Sequence, residues 1–303
     1  MPAKTTITPE VVAQARRLIS EGASQRQAAS DLGISQSGLS VKLADADFLT
    51  HDPTEDYEEI PVILRDYSHL GELKVYPLGD LHIGTPAHDR ERWEEWVDYL
   101  IRAKDSSLLG TGDFLNAALK DSKSESYDEH LTGGDAKRRL RAQLKPLAED
   151  GRIDLMVPGN HEDRIYRAVG DCPVRDLTDS LDVPFSRSAA LLVYVVGDVE
   201  YRVYMRHGTG NGQSLAQLSK SAMTVDADVF VTGHTHKQAA TADEFFTLDR
   251  KALKMRRATR YYVSSGSFLR YETYAAQRGY TPTRLGSPRI LLSGSRKDCH
   301  VSI

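Results

Sequence analysis

The 303-residue chain is 40% hydrophobic and 27% charged, which places it among ordinary globular proteins and apart from disordered tails and fibres. Its 39 Lys and Arg against 43 Asp and Glu leave a net charge of −4, so it is no uniformly basic nucleic-acid binder, and any polyanion must meet a local site. No apolar run approaches the roughly 20 residues of a membrane span, no signal-peptide stretch opens the chain, and Cys172 and Cys299 stand far apart. The expectation is a soluble, cytosolic protein with no membrane partner and two inert thiols.

Residues 8–43 read as three short helices. Thr8 and Pro9 form an N-cap and first-turn signature, Val11, Val12, Ala15, Leu18 and Ile19 make an apolar stripe, and Gly22 can end the helix. Ser24 and Gln27 have capping-box spacing for a second helix that turns Ala28, Ala29 and Leu32 inward. In "LGIS", Gly33 suits a left-handed turn, Ile34 can plug a small core, and Ser35 can cap a third helix. This pattern resembles the helix-turn-helix of bacterial and phage DNA-binding proteins, which implies that Gln36, Ser37, Ser40 and Lys42 face a major groove. Over residues 1–47, however, Lys4, Arg16, Arg17, Arg26 and Lys42 are balanced by Glu10, Glu21, Asp31, Asp45 and Asp47. Without net positive charge to draw phosphate, an oligomerisation or protein-docking role stays open.

Residues 48–60, "FLTHDPTEDYEEI", read as an acidic linker between the helix-turn-helix module of 1–47 and a domain spanning 61–303. In that domain "PVILRDY" and "ELKVYPLGD" predict strands, "RERWEEWVDYLIRAK" an amphipathic helix and "SSLLGTGD" a buried strand. "AKRRLRAQLKPLAE" predicts a helix and "IDLMVPGNHE" a strand ending in a polar loop. "AALLVYVVGDVEYRVYMRHG" predicts two strands around a turn, and "DADVFVTGHTHK" and "RRATRYYVSSGSFL" predict more. Strands alternating with helices indicate an α/β layered domain with functional loops at the strand ends.

Five polar groups follow apolar runs in order: Asp80 and His82 in "GDLH", Asp113 in "GDFLN", Asn160 and His161 in "GNHED", His207 in "RHG", and His234 and His236 in "GHTH". His234 and His236 are two apart, so in an extended segment both face one side. Asp oxygen, Asn carbonyl and His nitrogen together suit borderline divalent ions such as Mn, Fe or Zn, whereas Ca and Mg favour oxygen alone. Two such ions about 3.5–4 Å apart hold a phosphoryl oxygen and lower the pKa of a bound water to make hydroxide. Glycines precede Asp80, Asp113, Asn160 and His234 and are expected to let the backbone bend there.

The ordered set D-x-H, G-D, G-N-H-[DE], H, G-H-x-H resembles the calcineurin-like metallophosphoesterases over about residues 72–270. The resemblance implies a four-layer α/β/β/α sandwich. It also implies two divalent metals, one held by Asp80, His82 and His236, the other by Asn160, His207 and His234, with Asp113 bridging. His161 would lie beside the phosphate as general acid or electrostatic stabiliser, a role that suits an imidazole near neutral pH. Glu162 or Asp163 could orient its ring, and Asn116 and His88 are further polar residues near the blocks.

Two basic clusters offer a docking surface for a nucleic-acid backbone: Lys137, Arg138, Arg139, Arg141 and Lys145, then Arg250, Lys251, Lys254, Arg256, Arg257 and Arg260. Tyr261, Tyr262 and Tyr271 are placed to stack bases. The leading expectation is a two-metal phosphodiesterase acting on DNA or another nucleic acid, a possible nuclease. Its alternatives are a phosphomonoesterase or protein phosphatase of the same chemistry, and a DNA-binding regulator that uses the fold for interaction. A helix-turn-helix joined to this catalytic domain is similar to phage and mobile-element proteins.

Overall fold

The computed structural model describes residues 7–36, 38–40, 42–43, 60–119, 129–209, 220, 222, 224–249, 252–271, 279 and 281–303. Ser37, Arg250, Lys251 and all of the expected linker but Ile60 lie outside that set. The chain divides into two compact units, Met1–Glu59 and Ile60–Ile303.

The described residues of the first unit are mainly helical. Helix α1 (Pro9–Ser20) starts after an extended Thr8, and α2 (Gln25–Asp31) is capped by the Ser24 hydroxyl, which accepts from the Gln27 amide at 3.1 Å. The reciprocal half of the expected capping box does not form, because Gln27 Nε2 donates instead to Asp31 one turn on. Gly33 takes the predicted left-handed turn (φ +65°), and Ser35 accepts from the Gly38 amide to open a third helical segment (α3, described at residues 36, 38–40 and 42–43). Val12, Ala15, Ala28, Ala29, Leu39 and Leu43 close a small core. Gln36 and Lys42 remain exposed, while Ser40 is half-buried.

The second unit is mixed α/β, with two sheets. One has the order β1-β5-β6-β7-β9-β8, built from β1 (Val62–Tyr67), β5 (Ala189–Val196), β6 (Val199–Arg206), β7 (Val229–Thr232), β8 (Gln238–Asp249) and β9 (Lys254–Ser265). The other has the order β11-β10-β2-β3-β4, built from β2 (Glu72–Leu78), β3 (Ser106–Gly110), β4 (Ile153–Met156), β10 (Arg289–Ser293) and β11 (Cys299–Ser302). Alternation decides the layering: in β2, Leu73 and Val75 join a core shared with Leu192, Tyr194, Val203 and Val231 of the other sheet, while Tyr76 and Leu78 face the opposite way. There they meet Trp93, Val97 and Leu100 of α4 (Arg90–Arg102) and Leu140 and Leu144 of α5 (Gly133–Glu149). Leu177 of α7 (Pro173–Leu181), which follows α6 (Asn160–Val169), joins the same cluster. Over the other face of the six-stranded sheet, Ala222, Val225 and Ala227 pack against Tyr204, Phe230 and Tyr262; residues 210–219, which lead there, are outside the described set.

What positions a site is the strand direction. β2, β3 and β4 are mutually parallel, and so are β6, β7 and β9. Within each sheet, the loops leaving these strands therefore emerge at one edge. Several strands end earlier than the sequence suggests: β2 at Leu78, β3 at Gly110 and β4 at Met156. The polar loop expected at "GNHE" is corrected to a helix start, since Asn160 is the first residue of α6.

Candidate metal centre

The loop after β2 is stitched to the loop after β3 by main-chain bonds: Asp80 N–H donates to Gly112 O (2.9 Å) and His82 N–H to Asp113 O (3.0 Å). The Gly233 amide ties the β7 loop to His207 O at 2.9 Å. Into this frame the chain sets unusual backbone. Among described non-glycine residues, eight have positive φ, and five of them are Asp80 (51°), His82 (46°), Asp113 (54°), His234 (70°) and His236 (56°). Each such residue costs on the order of 1–3 kcal/mol, a strain that persists only where surrounding structure enforces it and that gathers at functional sites. The glycines thus act differently from expectation. Of those preceding the candidate ligands only Gly112 adopts positive φ (92°); Gly159 is required for space, because a Cβ there would fall on the Asp113 carboxylate.

Two donor sets result, Asp80, His82, Asp113 and His236, and Asp113, His207 and His234, with all donor atoms of a set within 4.8 Å of one another. Asp113 belongs to both. Its Oδ2 lies 3.3 Å from His207 Nε2 and 3.9 Å from His82 Nε2, while its Oδ1 accepts the His161 amide at 2.8 Å. Asp80 divides its oxygens similarly: Oδ2 accepts the His234 amide at 2.8 Å, and Oδ1 lies 3.4 Å from His236 Nε2 and 3.9 Å from His82 Nε2. That Oδ1 is buried and accepts no hydrogen bond among the described residues. Asn160, beyond either set, brings its Oδ1 to 3.1 Å from His207 Nε2.

The electrostatics fit a cation. Burial, with His161 and His236 beside it, holds His82 well below the usual imidazole value, so one ring nitrogen keeps its lone pair available. Burial pulls His207 down as well, but the Asp113 carboxylate outweighs it and pushes the ring up to about 9. Burial opposes ionisation of Asp113, yet His207 and His82 hold it well below the ordinary carboxylate range. His207 Nδ1 donates to Thr111 O at 2.6 Å, which points Nε2 inward, the outer support typical of a metal-binding imidazole. An orphaned carboxylate oxygen, convergent Nε2 atoms and mixed N/O donors suit a borderline divalent cation.

His161 stands at the edge of this cluster, its ring centroid 4.3 Å from that of His82. Neither acid proposed to orient it does so. Glu162 is buried and accepts from the main-chain amides of Asp113 (3.0 Å), Leu115 (2.8 Å) and Gly159 (2.9 Å), and Asp163 pairs with Arg167 and Arg187. Burial and the nearby Asp113 carboxylate push Glu162 up to about 7 against those amides. The His161 ring is held instead by Asn116 O, 2.6 Å from Nδ1, and Arg164 Nη2, 3.1 Å from Nε2. The Asn116 side chain donates to Glu129, and His88 Nδ1 meets Leu81 O at 2.8 Å, fixing the loop that carries His82.

The basic clusters are largely engaged. Arg138 pairs with Asp135, Lys137 with Asp176, Lys145 with Glu149 and Arg257 with Glu244, and Arg260 lies over the Phe245 ring. Arg139 is half-buried; Lys254 and Arg256 are exposed on β9. Of the aromatics expected to stack bases, Tyr262 is a core residue stacked on Phe230, Tyr261 is partly buried, and Tyr271 is exposed. No helix among the described residues is long and apolar enough to cross a membrane.

No protein-family profile and no curated protein matches this chain. Among solved structures it is similar to a conserved uncharacterized protein of Streptococcus pneumoniae, described as a predicted phosphoesterase (14% identity, 77% of this chain and 90% of that one, TM-score 0.37). It is also similar to zinc-complexed Vps29 of Entamoeba histolytica (16% identity, 76% and 98%, TM-score 0.34) and to a metallophosphoesterase of Sphaerobacter thermophilus (9% identity, 76% and 89%, TM-score 0.36). At TM-scores below 0.5 these are distant likenesses, and the chemistry has to be carried by the side chains.

Proposed function

We propose that residues 60–303 form a metal-dependent phosphoesterase that takes two divalent cations. Asp80, His82 and His236 would hold one, Asn160, His207 and His234 the other, and Asp113 would be shared. The observation that carries this reading is the pair of donor sets meeting at Asp113, built from residues of which five hold strained backbone. Bound there, the cations would supply Lewis-acid polarisation of phosphoryl oxygens and a more acidic water. The protein's own contribution is placement. The His161 and His234 amides each fix one oxygen of Asp113 and Asp80, leaving the other oxygen toward the imidazoles. His161, at the edge of this cluster beside the His82 ring, would stand next to the phosphoryl group.

The finer reading is a phosphodiester substrate in DNA or another nucleic acid, with manganese the leading metal and iron or zinc the alternatives. The exposed Lys254, Arg256 and Tyr271 support it, as does the helical unit on which Gln36 and Lys42 are exposed. A four-layer sandwich is likewise part of this reading, supported by two face-to-face sheets and the helices behind one of them. The test is a manganese-supplemented panel of a chromogenic phosphodiester, a phosphomonoester, single-stranded and duplex DNA, RNA, nucleotides and a phosphopeptide. Turnover of diester and DNA is expected. Monoester or phosphopeptide turnover alone would move the enzyme to the phosphatases, and no turnover at all with metals bound would leave an interaction protein.

A further inference from the structure

Arg164 sits one turn after His161 on α6, so both side chains share a face. A guanidinium has five N–H donors, no acceptor and a charge it does not lose. Among the described residues Arg164 has no carboxylate partner. Asp163, its chain neighbour, is taken by Arg167 and Arg187. Nη2 donates to His161 Nε2 at 3.1 Å, and Nη1 is buried with no acceptor among the described residues. A buried N–H left without a partner costs about 1–3 kcal/mol, and more when the group is charged. That N–H calls for an acceptor, and the guanidinium charge favours an anionic one.

The tautomer of His161 sharpens the point. Nδ1 lies 2.6 Å from a carbonyl oxygen, which only accepts, so Nδ1 carries the hydrogen. Nε2 faces Arg164, which only donates, so Nε2 presents its lone pair. The imidazole is thus the acceptor that aims the guanidinium. Asp80 and Asp113 are the carboxylates of the donor sets, against two divalent cations and Arg164, so the loaded site is positive and complementary to a phosphoryl group.

We infer that Arg164 binds substrate by donating from its guanidinium to a non-bridging phosphoryl oxygen, with His161 as its positioning residue. This rests on the phosphoesterase reading above. The test uses the full chain loaded with manganese, as wild type, Arg164→Ala and Arg164→Lys. Metal content is measured by elemental analysis, binding of inorganic phosphate by calorimetry, and hydrolysis of bis(nitrophenyl) phosphate by absorbance. Arg164→Ala should keep both metals, bind phosphate about 10- to 100-fold more weakly and lose a similar factor in kcat/KM, partly restored by added guanidinium. Arg164→Lys, which keeps charge and folding but not the planar fork, should fall between. Phosphate affinity and kcat/KM within about twofold of wild type in both variants would overturn the inference while leaving the phosphoesterase reading intact. Metal loss in both variants would overturn it too, by making Arg164 a support of the metal site. A wild type that neither binds phosphate nor hydrolyses any phosphoester would remove the reading and the inference together.

Discussion

Replacing Glu162 by glutamine tests how the loops of the candidate metal centre are held. The carboxylate is fully buried and receives three main-chain N–H groups, from Asp113 and Gly159 on Oε2 and Leu115 on Oε1. It therefore clamps the turn that follows β3 to the turn that follows β4, the two turns that deliver Asp113 and Asn160. Glutamine is nearly isosteric but has one acceptor oxygen. With that oxygen toward Asp113 and Gly159, its NH2 opposes the Leu115 N–H, so one main-chain donor is orphaned beside the NH2 itself; the reverse orientation orphans two main-chain donors. One orphaned donor costs about 1–3 kcal/mol, which for a domain of this size lowers Tm by roughly 2–12 °C. Glu162→Ala, which orphans all three and leaves a cavity, should cost more than twice as much. Differential scanning calorimetry with chelator present isolates the clamp from metal binding. A manganese titration should then show affinity about 10- to 100-fold weaker in Glu162→Gln, the usual loss when an outer support of a metal site is removed. A Glu162→Gln protein with unchanged Tm and unchanged manganese affinity would refute the clamp.

Asp113→Asn should nearly abolish turnover and lower occupancy at both metal positions, since the carboxylate common to the two donor sets becomes a neutral amide; elemental analysis showing two metals with normal activity would rule out a shared ligand. His161→Ala should keep both metals and lose similar rate factors on a nitrophenyl diester and an alkyl diester, because Nε2 accepts from Arg164 and has no proton to give; a much larger loss on the alkyl ester would restore an acid role. Burial pushes the Cys299 thiol up to about 12, so it should resist Ellman's reagent at pH 8 until the protein is unfolded. Because its folded pKa is the higher one, the stability this thiol contributes is present below its ordinary value near 9 and is lost as pH rises from 9 towards 12, a slope that Cys299→Ser should lack. Deleting residues 1–59 should leave hydrolysis of a small ester unchanged and weaken duplex binding at low salt; identical duplex affinities would sink the DNA-targeting role, and a fall in oligomer mass would assign the unit to assembly.

How far the sequence could be read depended on whether a residue's role was local. Donor residues at strand ends were legible because an apolar run followed by Gly-Asp or Gly-Asn-His carries both position and chemistry in a few residues. Helices α4 and α5 were legible from periodicity, and the Gly33 turn from residue type. Helices α6 and α7 were not predicted, because "GNHEDRIYRAV" has charged residues through its first turns and its single fully buried side chain is Glu162, whose partners are amides 3, 47 and 49 residues away. Missing α6 hid Arg164 as well, since only helical spacing brings it back to His161. Strand β8 escaped because its burial is low and irregular, and β10 and β11 because β10 pairs antiparallel with β2 from the far end of the chain and β11 pairs only with β10. The glycines misled for a related reason. Sequence suggests that a glycine bends the chain, but here Asp80, His82, Asp113, His234 and His236 themselves take the left-handed backbone, and Gly159 serves to keep a Cβ off Asp113. The strain sits on the residues that must converge, and what enforces it is a set of long-range bonds, such as Asp80 to Gly112 and Glu162 to Leu115, that no local pattern can announce.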